Sequence, residues 1–300
     1  MILKTDSLGN LRVALRENCE QIEGFELSNL NNLIEHVPED MTTTVQAAMT
    51  LQNFQAALAR HNQWLPVDPP CPGALSIGAL LAGNLSGPRR FGCGTIRDWL
   101  IGITVVLADG RLIRNGGKVV KNVAGFDLCK LFVGSRGTLG VIVEATFKLL
   151  PSPEREIFLK CECESYDEAG KLIEKIWESN LRPTVLDFYQ FENEPLRLVL
   201  GLSGAVADVT AQRELAATLG MDAETNLDYD AAIRIDHHQM ASVRPADLIG
   251  FLKTNNPDSF VARAGNGVVY LRGPRGGHEP SALERRIKET FDPKGVLPKL

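Results

Sequence analysis

Three glycine-containing phrases in fixed order, within residues 71–150, constrain the fold of this chain more than any other feature. Each phrase pairs glycine with small or hydroxyl side chains beside an apolar run. Such a composition lets the backbone lie flat against a large planar ligand that carries phosphate groups. Taken together, the phrases predict a surface for a planar, phosphate-bearing cofactor. They are Ser76–Asn84 (SIGALLAGN), Thr95–Asp98 (TIRD) and Gly134–Ile142 (GSRGTLGVI).

Each phrase on its own also fits an ordinary structural role. Ser76 can cap a helix whose N-terminus would bind an anion, but the same small residues suit a tightly packed core helix. Arg97 and Asp98 could line the edge of a flavin or form a plain surface ion pair. The stretch Gly134–Gly140 could be a simple turn between a helix and a strand. The three phrases in succession, joined by a hairpin, favour a flavin-binding fold.

The composition is that of a globular protein that does not bind nucleic acid. Hydrophobic residues make up 44% of the 300 residues, and the net charge is -5 with no basic block. We find no signal peptide and no apolar run of the roughly 20 residues that a membrane span needs, so we expect a cytoplasmic chain without a transmembrane segment. The cysteine spacing does not suggest a disulfide framework, and we expect reduced thiols. The cysteines are Cys19, Cys71, Cys93, Cys129, Cys161 and Cys163.

The first half of the chain alternates strands and short helices. Leu51–His61 has the apolar spacing of an amphipathic helix. Ile101–Ala108 and Arg111–Arg114 are typical of the two strands of a hairpin. The Asp109-Gly110 pair between these strands predicts a type I′ turn.

Prolines at positions 151 and 153 mark the best domain boundary. We therefore predict a first domain of residues 1–151 and a second domain of residues 152–300, whose closing helix Ser281–Phe291 returns to the first domain. Ser281 and Glu284 form a capping-box pattern at the start of that helix. The rest of the second domain has the pattern of an α+β unit. Its predicted strands are Glu156–Glu164, Val185–Phe191, Leu196–Leu202, Val261–Ala264 and Val268–Arg272, and its predicted helices are Tyr166–Ser179 and Val206–Leu219.

The order and spacing of the three phrases resemble the FAD-binding domain of the vanillyl-alcohol oxidase and p-cresol methylhydroxylase (VAO/PCMH) type. Further stretches look like the FAD-binding E subunit of glycolate oxidase, an enzyme also called glycolate dehydrogenase. The phrase KNVAGFD, at Lys121–Asp127, is the most specific of them. The stretches are Leu85–Arg90, Gly116–Asp127, Ala262–Val268 and Phe291–Leu297.

This resemblance implies an α+β fold, in which a PCMH/VAO-type FAD-binding domain with a truncated first subdomain is followed by a ferredoxin-like α+β cap domain. It also implies FAD as the cofactor. The first phrase would contact the phosphates, the second would line the flavin, and the third would close over the cofactor. The cofactor-binding residues that it implies are Ser76, Ile77, Gly78, Gly83, Asn84, Thr95, Arg97, Asp98, Gly137, Thr138, Gly140 and Ile142.

One part of the family pattern is missing from this chain. Relatives hold the pyrophosphate with an early glycine-rich loop, whereas only Gly9 and Gly24 precede Gly73 here. A complete opening βαβ unit before residue 30 is also not evident, and the usual Gly-Gly of the first phrase is Gly78-Ala79. FAD occupancy therefore stays open. The chain binds FAD with fewer phosphate contacts, depends on a partner, or has lost the cofactor; a start site placed too far downstream would also explain the gap.

The leading functional hypothesis is an FAD-binding accessory subunit of a glycolate (2-hydroxy acid) oxidising complex, an FAD-dependent oxidoreductase that transfers electrons through its flavin. The implied partners are a second, FAD-linked catalytic subunit and an iron–sulfur subunit, and any membrane association would be peripheral and through these partners. One alternative is a cofactor-free structural subunit of the same complex. Another is a flavoenzyme like the reductase of UDP-N-acetylenolpyruvoylglucosamine.

The sequence does not identify catalytic residues. Oxidising a 2-hydroxy acid needs a base near the α-proton and a cation for the carboxylate. An isolated histidine pair such as His237 and His238 more commonly has a surface or core role. The sequence contains no zinc-binding pattern. We interpret Cys93 as a packed thiol. The candidates by residue type are Arg234, His237, His238, Tyr189 and Arg263.

Overall fold

The computed structural model describes residues 1–17, 20–117, 128–235, 238–273 and 279–300, except for the side chains of residues 234, 235 and 238. The chain forms two compact units. The first unit comprises Met1–Leu85, Thr95–Ser152 and His278–Leu300, and the second comprises Ser86–Gly94 and Pro153–Gly277. The phrase Lys121–Asp127 and Cys19 lie outside the described residues.

The described strands and helices are numbered here in chain order. The strands are β1 (Ile2–Lys4), β2 (Gly24–Glu26), β3 (Leu33–Val37), β4 (Thr42–Gln46), β5 (Gln63–Trp64), β6 (Leu100–Val106), β7 (Leu112–Gly116), β8 (Val141–Lys148), β9 (Leu150–Pro151), β10 (Arg155–Cys163), β11 (Val185–Gln190), β12 (Leu196–Gly204), β13 (Ala223–Glu224), β14 (His238–Ser242), β15 (Phe260–Arg263) and β16 (Val268–Arg272). The helices are α1 (Leu8–Glu17), α2 (Leu51–Ala59), α3 (Ile77–Gly83), α4 (Arg90–Cys93), α5 (Ile96–Trp99), α6 (Leu128–Phe132), α7 (Tyr166–Glu178), α8 (Val206–Thr218), α9 (Asp228–Ile235), α10 (Leu248–Asn255) and α11 (Ala282–Phe291).

An antiparallel sheet of order β3-β4-β8-β6-β7 forms the centre of the first unit. Its side chains alternate between two hydrophobic clusters, as a sheet covered on both faces requires. On β8, Ile142 and Phe147 belong to the cluster that contains α2 and α3 residues, whereas Val141 and Val143 pack with α1. The sheet therefore separates α3 from α1.

A short βαβ unit opens the chain. Strands β1 and β2 pair in parallel, and α1 connects them. Leu11 and Leu15 of α1 are fully buried with Ile22 and hold the helix against the sheet. A complete βαβ unit before residue 30 is not evident from the sequence, and the structure has only this shortened one there. The shortened unit was not recognised from the sequence, because its strands have only three residues each and carry too little periodicity.

The predicted hairpin between β6 and β7 is confirmed, but its turn is not of type I′. That type needs positive φ at both central residues, and only Gly110 has it, at +77°. The N–H of Gly110 donates to the oxygen of Leu107 at 2.9 Å, and the N–H of Leu107 donates to the oxygen of Arg111 at 2.9 Å. The turn thus begins at Leu107 and ends in a left-handed glycine, as three-residue hairpin loops commonly do.

The second unit contains an antiparallel sheet of order β13-β10-β12-β11-β15-β16-β14. The first four strands, with α7 after β10 and α8 after β12, have the order and connections of the predicted ferredoxin-like domain. The hairpin of β15 and β16 extends this sheet, and β14 completes it. The segment Ser86–Gly94 joins this unit through the N–H of Gly92, which donates to the oxygen of Thr184 at 3.0 Å.

The C-terminal helix α11 packs in the first unit. Its predicted capping box is present, since the Glu284 N–H donates to the Ser281 hydroxyl and the Ser281 N–H donates to the Glu284 carboxylate. The ring of Phe291 packs edge-to-face on Phe132, with centroids 5.8 Å apart. No helix of the described residues is long and apolar enough to cross a membrane.

Substituting Gly267 by alanine should destabilise the protein by at least ~2 kcal/mol. Gly267 has φ +73°, and a Cβ there would lie 1.9 Å from the oxygen of Val243. The matched control is Gly250→Ala in α10, where a Cβ meets no atom within 4 Å; it should be stabilising by about 0.5–1 kcal/mol. Denaturant unfolding of both variants measures the difference, and equal stabilities would contradict the assigned turn.

Candidate cofactor site

A cavity of about 430 Å³ lies in the first unit, and four stretches of chain line it. These are residues 23–28 around β2, Ala47 and Ala48 after β4, the first turns of α3, and the loop from residue 136 to residue 142. Pro298 adds a fifth contact from the C-terminal segment. Most of this lining is apolar side chain or backbone. We call this the first cavity.

Two of the three sequence phrases meet at the first cavity. Ser76 and Gly78 come from the first phrase, and Gly137, Gly140 and Ile142 come from the third. Ile77, from the same list of predicted site residues, points into the hydrophobic core and is fully buried.

A second cavity, of about 440 Å³, is lined by Arg97 and Thr138 from the predicted set. Arg136 lines both cavities, and Lys130 and Glu284 also line the second. Its lining includes three cationic side chains, so it is electropositive in character. We call this the second cavity.

Five of the predicted site residues line neither cavity in the described part of the chain. They are Ile77, Gly83, Asn84, Thr95 and Asp98. Asn84 ends α3 in the left-handed conformation, with φ 47°, directly after Gly83. Thr95 and Asp98 form a capping box on α5, and the hydrogen bond from the Thr95 N–H lowers the pKa of Asp98. Arg97 does not pair with Asp98; its Nη2 donates to the oxygen of Lys130 at 2.6 Å.

The N–H groups at the start of α3 are already used within the protein. The Ile77 N–H donates to the oxygen of Met49 at 2.9 Å, and the Gly78 N–H donates to the oxygen of Ala47 at 2.8 Å. The Ala79 N–H donates to the Ser76 hydroxyl at 3.2 Å, which confirms Ser76 as the N-cap. These three donors are thus committed to the fold, and a phosphate would have to displace one of these partners to use them.

Charged side chains at the first cavity come from two elements. Glu23 and Glu26 bring carboxylates from the β2 region, and Arg136 is the one cation in the described lining. Glu26 is held by an ion pair with Lys4 at 2.7 Å. The apolar walls and exposed glycine backbone fit the planar nucleoside part of FAD, and Arg136 fits its phosphates. The residues present therefore suit FAD, with few donors for the phosphates.

Gly137 gives the loop after α6 a left-handed turn next to Phe25 and Pro298. Its φ of +77° is left-handed, and a Cβ there would lie 3.5 Å from the Phe25 ring and 3.8 Å from Pro298. Arg136 directly before it is also left-handed, with φ 52°. Two successive left-handed residues turn the loop sharply beside the first cavity.

In the second unit, Arg263 lies in a closed ionic network. Its guanidinium pairs with Asp187 and Asp230, and the Tyr229 hydroxyl donates to Asp187 at 2.7 Å. Tyr189 stacks on Tyr229 with ring centroids 4.4 Å apart. Because Arg263 is only 1% exposed, it has no surface for a substrate carboxylate.

Burial raises the pKa of Asp187 to about 6, and the Arg263 charge opposes this rise. One of its carboxylate oxygens, Oδ1, has no hydrogen-bond partner among the described residues. Of the remaining candidates, His237 lies outside the described residues, as do the side chains of Arg234 and His238.

The cysteines in the described part of the chain form no disulfide bonds there. Cys161 and Cys163 pack against the same hydrophobic cluster, as their spacing on one strand predicts. Cys93 is half-buried in the second unit. No group of three or more His, Cys, Asp or Glu residues within the described ranges could hold a metal ion.

Residues 13–116 match the family model of an FAD binding domain. The chain thus contains a stretch with the pattern of an FAD-binding domain, within the mixed α and β structure that the sequence predicts. Its structural neighbours include alkyldihydroxyacetonephosphate synthase in two crystal forms. The TM-scores are 0.74 and 0.70, at 14% and 19% identity, and the matches cover 100% and 99% of this chain and 76% and 71% of the neighbours. At this identity the likeness concerns the fold alone.

The curated proteins to which this chain is similar are named as enzymes, or subunits of enzymes, that oxidise 2-hydroxy acids. Glycolate oxidase subunit GlcD of Bacillus subtilis is 37% identical over 172 residues, or 57% of this chain and 36% of that protein. Glycolate oxidase subunit GlcE of Escherichia coli is 34% identical over 184 residues, or 61% and 51%. D-2-hydroxyglutarate dehydrogenase of Xanthomonas citri is 36% identical over 165 residues, or 55% and 35%. The chain thus spans about a third to a half of the length of these relatives.

Phe25, Pro298 and Arg136 are among the residues of the first cavity that were not sequence candidates. Phe25 and Pro298 lie far apart in the chain and carry no motif, so only the fold could bring them together. Arg136 could have been identified from the sequence, because it is the one charged residue within Gly134–Gly140.

Replacing Gly137 by valine should abolish FAD binding, because the side chain would enter the space beside Phe25 and Pro298. A β-branched residue at positive φ also costs stability. Gly220→Val is the matched control, since Gly220 has φ +83° and open space around it. Both cofactor-free variants should melt below the parent by similar amounts, and only Gly137→Val should lose FAD in a fluorescence titration. Unchanged FAD affinity in Gly137→Val would show that this loop does not contact the cofactor.

The Asp187→Asn substitution should remove a pH dependence from stability. The pKa of Asp187 rises from 3.8 to about 6 in the folded state, so its stabilising contribution is complete below pH 3.8 and is lost as the pH rises through 6. The unfolding free energy of the parent minus that of the variant should therefore fall by about 2–3 kcal/mol between pH 4 and pH 7. Denaturant unfolding of both proteins across this range measures it, and parallel pH profiles would refute the assignment.

Proposed function

We propose that this chain is an FAD-binding subunit of an enzyme that oxidises a 2-hydroxy acid, with glycolate as the substrate and an accessory role for this subunit. The observation that carries the proposal is the meeting of Ser76, Gly78, Gly137, Gly140 and Ile142 at one cavity of an FAD-binding domain. The names of the curated relatives support glycolate or a related hydroxy acid and favour this hypothesis over the reductase of UDP-N-acetylenolpyruvoylglucosamine.

The residues of the first cavity would hold the cofactor mainly by shape. Phe25, Ala48 and Pro298 provide apolar walls that exclude water, and Gly137 lets the backbone come close. FAD, when bound, supplies a two-electron acceptor for the oxidation of an alcohol to a carbonyl. The lysine amine of α11 fixes the loop, since Lys288 Nζ donates to the oxygen of Thr138 at 2.9 Å.

Two of the candidate catalytic residues support an accessory role. Arg263 is engaged in the closed ionic network of the second unit, and Tyr189 is buried and stacked on Tyr229, so neither side chain is open to a substrate carboxylate. We therefore place substrate oxidation on a second FAD-linked catalytic subunit, with an iron–sulfur subunit to carry electrons onward. In this arrangement the flavin of the present chain takes part in electron transfer.

One observation favours a second candidate, a cofactor-free structural subunit of the same complex. The N–H donors of Ile77, Gly78 and Ala79 are committed to the fold, and two carboxylates line the cavity. A phosphate group would meet more negative charge than donors on that side.

The flavin content of the purified chain distinguishes the two candidate functions. We expect it to carry flavin, or to take up FAD to near one equivalent on titration, with flavin absorption bands and release of FAD on denaturation. A colourless, cooperatively melting protein that takes up no FAD at saturating concentration would support the structural role instead. Mixing the flavin-loaded chain with its partner subunits and glycolate should then bleach its flavin absorption in the absence of another electron acceptor.

A further inference from the structure

We propose that Arg136 binds the diphosphate of the dinucleotide cofactor and takes the place of a glycine-rich phosphate loop. The inference rests on the proposed function, because it names the side chain that would hold the phosphates of FAD in this chain. It also concerns a residue that the sequence motifs did not mark as part of the site.

The charge balance of the first cavity requires such a group. Its described lining carries the carboxylates of Glu23 and Glu26 and the single cation of Arg136. A diphosphate that enters a partly buried site must be neutralised or hydrogen-bonded there, or it stays in water. Arg136 is the lining side chain whose charge is suited to this role.

The backbone cannot easily supply the donors instead. A glycine-rich loop binds phosphates through several free N–H groups that point the same way. Here the N–H groups of Ile77 and Gly78 donate to the oxygens of Met49 and Ala47, and that of Ala79 donates to Ser76. The shortened β2 region offers no glycine-rich loop, because Gly24 is the only glycine between residues 10 and 72.

The position of Arg136 is fixed by backbone contacts to α3. Its N–H donates to the oxygen of Ala82 at 2.9 Å, and the N–H of Gly134 donates to the oxygen of Leu81 at 2.9 Å. The side chain itself is exposed and lines both cavities. A guanidinium group in this position can form two parallel hydrogen bonds to phosphate oxygens.

The second cavity, which Arg136 also lines, adds positive charge near this residue. Arg97 and Lys130 line it, and Glu284 contributes the one carboxylate side chain in its described lining. Their charges raise the local potential and attract an anion towards Arg136. The nucleoside would thus lie in the apolar first cavity, and the phosphates would lie at its border with the second.

The test compares ligands that carry phosphates with ligands that lack them. FAD, ADP, riboflavin and adenosine are titrated into the cofactor-free chain by calorimetry. Arg136→Gln should weaken the binding of FAD and ADP by about 10- to 100-fold, the range for a hydrogen bond to a charged group. The affinities for riboflavin and adenosine should be unchanged. Arg136→Lys should restore part of the loss, because it keeps the charge without the paired donors.

Arg60→Gln is the matched control, since Arg60 is an exposed arginine that lines neither cavity. It should bind all four ligands like the parent. Raising the salt concentration should weaken FAD binding by the parent more than by Arg136→Gln, because screening acts on the charge that the variant lacks.

The outcomes separate this inference from the proposed function. If the parent binds neither FAD nor ADP at saturating concentration, both fail. If the parent binds FAD and Arg136→Gln binds it equally well, the role of Arg136 is refuted while the proposed function stands. If Arg136→Gln also loses adenosine, the substitution has damaged the cavity and a phosphate-specific role is refuted. Melting temperatures of the cofactor-free proteins accompany every titration.

Discussion

The rest of the first unit depends on the contact between the start of α3 and the end of β4. The oxygen of Ala47 accepts from the N–H of Gly78, while the N–H of Ala47 donates to the oxygen of Val143 on β8. A side chain at residue 78 would lie 3.1 Å from the Ala47 side chain, so the contact needs glycine. One short run of backbone thus joins a helix to the central sheet and forms one wall of the first cavity.

This contact also limits the chemistry of the cavity. The donors that hold α3 in place cannot serve a ligand without disturbing the sheet. The shortened βαβ unit provides walls and carboxylates to the first cavity. The first cavity is therefore bounded more by apolar surface and by side-chain charge than by free backbone N–H groups.

The sequence predicted elements whose signal is local. The strand and helix pattern of residues 156–219 and the capping box at Ser281 follow from periodicity and short-range hydrogen bonding, and the structure confirms them. The Asp109-Gly110 pair also predicted a hairpin correctly. Its turn type could not be read from two residues, because the hydrogen bond between Leu107 and Arg111 decides it.

Contacts between residues that are far apart in the chain could not be predicted from the sequence. Whether the N–H of Gly78 is free depends on the position of Ala47, thirty-one residues earlier in the chain. The burial of Arg263 depends on Asp187 and Asp230, which come from two other elements and leave no space for a substrate. Phe25 and Pro298 meet at Gly137 only because the first and last parts of the chain belong to the same unit.

That arrangement has a consequence for the synthesis of the protein. The second unit is complete by residue 277, whereas the first unit also needs His278–Leu300. During translation the second unit can fold while the first still lacks α11, the contact of Lys288 with the Thr138 loop and the wall that Pro298 provides. The unit that starts first therefore finishes last, and the first cavity is complete only after Pro298 has been synthesised.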